Sequence, residues 1–181
     1  MNSTSETTSR PSDPVIADMR HFLKERYDAN LADTRRSIPP HIFTEFGRRG
    51  YAGLLMPKDR NGSGLSLGEA FRVIRFLSIA DLSIAVAIGL HNILGLRAIM
   101  LFASAPARSA LEDDCARGFR LCAFALTETD AGSDPRRITT KAHRQADGSW
   151  ILNGSKQWTG LGAWCGAMVT FARAYDEANR P

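Results

Sequence analysis

The residues best suited to chemistry stand close together in the stretch CAFALTETDAGSDPRR, Cys122 to Arg137. An apolar run ends there in Thr127 and Glu128, and a turn of small residues leads on to Ser133 and Asp134. Backbone N–H and C=O groups at a strand end, joined by the Thr127 hydroxyl, match the polar edge of a flat heteroaromatic ring such as a flavin. Ala131-Gly132-Ser133 lets the backbone approach phosphate oxygens, with the Ser133 hydroxyl as an extra donor. Trp158, beyond the next hairpin, suits offset contact with the face of such a ring. These features also have an ordinary reading. Strands often end in Thr/Ser/Gly turns, and a single tryptophan in a strand is often core.

Two halves of different period must position these groups. Residues 13–119 read as helical, behind a polar tail at 1–12 that is expected to be disordered. Asp13 before Pro14 is the expected cap of a first helix, VIADMRHFLKERYD. A second helix is expected from Pro39-Pro40, stopped by Gly50, with a loop after it. Ser66 with Glu69 forms a capping-box pattern, Asp81 caps the apolar LSIAVAIGLHNILGLRAIMLFAS, and Pro106 opens a helix ending before Gly118. Residues 120–181 carry strand patterns instead: RLCAFALTE, ITTKAHRQ, WILNGSKQW and AMVTFARAY, with Asp147-Gly148 as a hairpin turn. The expected class is therefore α+β, an all-α N-terminal domain followed by an incomplete, barrel-like antiparallel β domain. No helix alternates with the strands, and GLGAWCG, Gly160 to Gly166, lacks the GxGxxG spacing, so a Rossmann arrangement is disfavoured.

Composition narrows the class further. At 181 residues, 44% hydrophobic and 23% charged, the chain has the make-up of a globular protein. Its net charge of +4 comes from scattered arginines, without a basic helix interleaved with aromatics, so nucleic acid is not an expected partner. No apolar run approaches the roughly 20 residues of a membrane span. The closest, Leu82 to Leu90, reads as a buried helix. With no basic start followed by an apolar segment at the N-terminus, the cytoplasm is the expected compartment. Cys115, Cys122 and Cys165 show neither disulfide nor zinc spacing and read as free thiols, and no metal site is expected. His91, in GLHN, reads as a satisfied core or interface histidine rather than a functional one.

AFALTETDAGSD, followed about twenty residues later by ILNGSKQWTG, resembles the flavin-binding segments of the acyl-CoA dehydrogenase family. There the patterns run Ala-x-Thr-Glu-x-x-Ala-Gly-Ser-Asp and Asn-Gly-x-Lys-x-Trp. GYAGLLMPKDRNGSGLSLGEAFRVI resembles a segment of the family's helical domain. The resemblance implies FAD as cofactor and α,β-dehydrogenation of an acyl-CoA or acyl-carrier thioester. It also implies a homo-oligomer or an intact homologue as partner, and an electron-accepting flavoprotein. By position, Phe124, Ala125, Leu126 and Thr127 would line the flavin's polar edge, with Thr127 nearest the hydride-accepting nitrogen. Ser133 would contact both cofactor phosphates and acyl-CoA, and Trp158 would pack on the ring beside Thr159. The sequence departs from the family where Gly160 takes the place of a Thr, and where Thr129-Asp130 replaces the more usual Pro-Gly.

In the family the catalytic carboxylate lies in a third, helical domain. No catalytic base is therefore assigned to this chain, and the expectation is a truncated or partial chain that holds flavin weakly or not at all. Glu128 and Asp134 read as turn carboxylates, and Glu69 as a capping residue. The alternatives are a non-catalytic remnant acting as a binding or assembly module, and a relative of the nitroalkane oxidase or monooxygenase type.

Overall fold

The computed structural model describes residues 9–176 and 178. The expected tail thus falls mostly outside the described residues, as does the end of the expected β domain at residues 177 and 179–181. The described part of the tail is not loose, because Ser12 is buried and opens helix α1, Ser12–Arg26. Asp13 does not cap that helix. It lies in the first turn, where its carboxylate accepts from the Arg10 N–H at 2.8 Å. The helix start is fixed from outside instead, since the Ser12 N–H donates to Glu69 at 3.1 Å.

A short helix absent from the sequence reading follows, α2, Ala29–Arg35, capped by the Asp28 side chain on the Leu31 N–H. Then come α3, Pro40–Arg48, and α4, Leu67–Ala80. Ser66 caps α4 by accepting from the Glu69 N–H at 3.3 Å. The Glu69 carboxylate completes no reciprocal box, being engaged with Ser12 and Arg72. Asp81 caps α5, Leu82–Gly89, with one oxygen and accepts from the Tyr27 hydroxyl at 2.6 Å with the other. The helix continues through a π-helical segment, Leu90–Leu96, into α6, Arg97–Phe102. Helix α7, Ala105–Ala116, closes the helical half.

This run corrects one expectation. Leu82–Phe102 forms a helix of 21 residues with mean hydropathy 1.8, long and apolar enough to cross a membrane. Half of it is buried inside the fold, as in the core helix of a globular domain. Ile84, Ile88, Phe22, Phe46 and Leu77 form the centre of the main core.

The strands are β1, Leu121–Ala125; β2, Lys141–Arg144; β3, Trp150–Asn153; β4, Cys165–Thr170; and β5, Arg173–Tyr175. The α+β class stands, but the strand directions are mixed. Among the strand pairs of the described residues, the β2–β3 hairpin is antiparallel, while β1–β4 and β2–β5 are parallel. The reason lies in AMVTFARAY, which is two strands rather than one. The Phe171 N–H donates to Ala125 O and the Arg173 N–H to Thr140 O, so the chain steps from β1 to β2 within three residues.

The π-helical widening brings backbone against β1. A Cβ on Gly95 would lie 2.2 Å from the Cβ of Cys122, closer than any real contact. Gly95→Ala is therefore expected to push β1 from the helix and destabilise the fold by roughly 1–3 kcal/mol, read by thermal or urea unfolding. Gly68→Ala, where a Cβ meets nothing within 4 Å, should leave stability unchanged or slightly higher.

Candidate functional site

The end of β1 is organised by one buried carboxylate. Glu128 accepts from the Thr139 N–H at 2.5 Å and its hydroxyl at 2.7 Å, from the Thr140 N–H at 3.0 Å, and from Lys156 Nζ at 2.7 Å. Lys156 also donates to Leu126 O at 3.0 Å. Burial pushes the Glu128 carboxyl up, but the bonds from Lys156, Thr140 and Thr139 outweigh it and hold the group well below the usual carboxylate range. Sequence reasoning placed a turn carboxylate here and gave Lys156 no role, although the lysine stands in the quoted motif.

This knot joins the two segments singled out in the sequence. The Gln157 N–H donates to Thr127 O at 2.9 Å and its side chain to Glu128 O at 3.2 Å, which sets Trp158 beside the strand end. Glu128 and Ala131 form an isolated antiparallel bridge that closes the turn leading to Ser133. The carbonyls expected to line a ligand are partly engaged within the chain: Ala125 O by Phe171, Leu126 O by Lys156 and Thr127 O by Gln157. The Thr127 N–H and hydroxyl, and the Ser133 hydroxyl, have no partner among the described residues. Asp134 caps the following turn through the Arg136 N–H.

Trp158 is not core. The residue is 86% exposed, and its backbone sits in the left-handed region at φ 57°, uncommon for a bulky residue. Phe124 belongs elsewhere: its ring meets Phe171 edge-to-face at 5.1 Å and lines an apolar hollow with Ile93 and Phe102. Thr159 lines a different hollow of about 840 Å³, with Val86, Ala87, Leu90, Leu161 and Trp164. A side chain at Gly160 would begin 2.4 Å from a Leu90 methyl, so Leu90 fills the space that a larger residue there would need.

The other end of β1 is held by His91. The Cys122 N–H donates to Nδ1 at 2.9 Å, and Nε2 lies 3.1 Å from Cys115 O, so the proton is on Nε2 and the ring is neutral. The ring is fully buried, as the core reading expected.

The sequence and the fold both match known proteins. Residues 13–118 match the family model of the acyl-CoA dehydrogenase N-terminal domain, and residues 123–181 that of the acyl-CoA dehydrogenase middle domain. The chain belongs to the acyl-CoA dehydrogenase family. It is 32% identical over 172 residues to benzylmalonyl-CoA dehydrogenase of Aromatoleum aromaticum, covering 95% of this chain and 43% of that protein. It is 27% identical to the human mitochondrial very long-chain specific acyl-CoA dehydrogenase, covering 88% of this chain and 24% of that one. Among solved structures, glutaryl-CoA dehydrogenase from Mycobacterium smegmatis superposes with TM-score 0.83 at 27% identity, over 93% of this chain and 44% of that one. An acyl-CoA dehydrogenase from Bacillus anthracis, complexed with FAD, does so with TM-score 0.81 at 25% identity, over 98% and 30%. The chain thus spans less than half the length of these relatives.

Burial of His91 lowers its pKa from the usual 6.5 to about 4. A group depressed in the fold adds stability that is fully present above its unfolded value and lost as pH falls through the folded one. Stability should therefore drop by roughly 3 kcal/mol between about pH 7 and pH 4 from this residue alone, measured by urea unfolding across that range. Glu128→Gln keeps the shape of the knot but removes its charge. The melting temperature at pH 7 should fall by several degrees.

Proposed function

We propose that this chain carries the flavin-edge and acyl-binding parts of an FAD-dependent acyl-CoA dehydrogenase. The observation that carries the reading is the end of β1: an unpartnered amide and hydroxyl at Thr127 beside an exposed, backbone-strained Trp158. Such groups fit a flat ring with polar atoms along one edge, the hydroxyl and amide donating and the indole covering a face. A flavin held by these residues would supply the hydride acceptor for the β carbon of an acyl thioester. Phe124, Ala125, Leu126 and Thr127 supply the strand end. Of these, the Thr127 N–H and hydroxyl are the donors left free, while Phe124 contributes by packing behind the strand. Ser133 is the exposed donor for phosphate oxygens of the cofactor and of the thioester's carrier.

Thr159 links this edge to the 840 Å³ hollow, whose walls Val86, Ala87, Leu90 and Leu161 are apolar, and there the acyl chain is held. Glu128 is spent on four internal hydrogen bonds and abstracts no proton. The base that removes the α proton is accordingly assigned to no residue described here, and the electrons leave to an electron-accepting flavoprotein. A second reading, an assembly module, draws on β3, where Trp150, Ile151 and Leu152 are each about half exposed.

Titration with FAD, followed through tryptophan fluorescence, tests the site directly. Saturable quenching at micromolar or weaker affinity is expected, lost in Trp158→Ala. Thr127→Val should weaken binding about 5- to 10-fold, the worth of one hydrogen bond. No flavin binding by the wild-type chain, or binding indifferent to both substitutions, overturns the reading. Concentration-dependent association without flavin binding would favour the module.

A further inference from the structure

Two thiols lie together at the joint between the helical half and the sheet, outside every role described above. Cys115, in the last turn of α7, and Cys122, near the start of β1, are both fully buried, and their sulfurs stand 3.3 Å apart. Both are free thiols. The backbone fixes the two ends separately. His91 bonds to the carbonyl of Cys115 and the amide of Cys122, while the N–H groups of Phe119 and Arg120 in the intervening turn both donate to Asp114 O. The sulfurs are thus presented to each other by the fold and need only side-chain rotation and a small shift to reach the bonding distance of about 2.05 Å.

We propose that Cys115 and Cys122 are a redox-responsive pair, closed into an intramolecular disulfide when a hydroperoxide oxidises the protein. The polarity of the pair assigns the roles. The Cys122 S–H donates to the Cys115 sulfur, and this bond lowers the Cys115 pKa while raising that of Cys122. Cys115 attacks the peroxide as thiolate, breaking the O–O bond, forming a sulfenic acid and releasing alcohol, or water from hydrogen peroxide. The Cys122 sulfur then attacks the Cys115 sulfur, the S–O bond breaks, and the hydroxyl leaves as water with the Cys122 proton. Two thiols lose two electrons and two protons in all, and one hydroperoxide takes up both.

Cys165 is close in the sheet but engaged elsewhere. Its thiol donates to the Gly162 carbonyl at 3.4 Å, whereas the Cys122 sulfur meets Cys115. Burial makes the reaction wait for opening of the last turn of α7. Once formed, the bond staples that turn to β1, the strand whose far end presents Thr127. The inference stands on the thiol geometry and does not depend on flavin binding.

Peptide mapping of the wild-type chain decides it. After treatment with hydrogen peroxide, denaturation and alkylation with iodoacetamide, trypsin cuts after Arg108, Arg117 and Arg120 and so puts the two cysteines on different peptides. The expected product is Ser109–Arg117 linked to the peptide beginning at Leu121, separated by dithiothreitol, with Cys165 alkylated. Alkylated Cys115 and Cys122, their conversion to sulfinic acids, or linkage of either to Cys165 would overturn the proposal. In Cys122→Ser the Cys115 sulfenic acid should be trapped by dimedone. A folded variant in which Cys115 takes no label would overturn the assignment of roles. Should that variant not fold, the wild-type link decides alone.

Discussion

The buried pair of Glu128 and Lys156 is the contact from which the site takes its shape. Removing two charges from water is costly, and the attraction between them rarely compensates unless other hydrogen bonds satisfy the remaining lone pairs. Here Thr139, Thr140 and the Leu126 carbonyl do so, which is why the charges persist at 6% and 11% side-chain exposure. Three stretches distant in sequence are thereby tied: the end of β1, the approach to β2, and the segment carrying Gln157 and Trp158. Geometry at Thr127 is a consequence of this tie rather than of strand pairing, since the ladder ends at Ala125. The Thr127 amide and hydroxyl stay unpaired among the described residues because the neighbouring side chains carry the structural hydrogen bonds.

A strand held at one end only would pivot, and β1 is fixed at its base as well. The π-helical segment sets Gly95 and His91 against Cys122, one by close backbone approach and the other by a hydrogen bond. The neutral imidazole is required: a second proton would turn the acceptor Nδ1 into a donor facing the Cys122 N–H. The helical half therefore positions the sheet through a polar contact buried inside an apolar interface, and β1 transmits that position to the strand end. Tertiary contacts replace the hairpin register that orders a simple antiparallel sheet.

Local signals were legible in the sequence and non-local ones were not. Ser66 and Asp81 mark their helices because an N-cap needs only a side chain and the amides that follow it. The α+β division was readable for the same reason, as a change from helical to strand period near Phe119. Helix α2 escaped because seven mostly polar residues with one buried alanine give no periodic stripe. Asp13 was misplaced because Glu69, 57 residues beyond Ser12, supplies the contact that starts α1. The break between β4 and β5 rests on partners from two different strands, which no window of sequence contains. At the site, the motif spacing put Thr127 and Trp158 in one neighbourhood, and the Gln157–Thr127 hydrogen bond joins those two segments. What it could not convey was the exposure of the indole, the separate hollow of Phe124, or the engagement of the three carbonyls.

The carboxylate nearest the proposed ring is also the one least able to act on a substrate. A general base must reach the proton it removes and have a pKa near the working pH. Glu128 meets neither condition, since four donors surround its oxygens and hold its pKa far below neutrality. Freeing it for proton transfer would dismantle the knot that sets Thr127 and Trp158 side by side. Binding edge and base are therefore incompatible duties for this residue. An enzyme built on such an edge would have to bring its base from elsewhere, leaving the Glu128 knot intact.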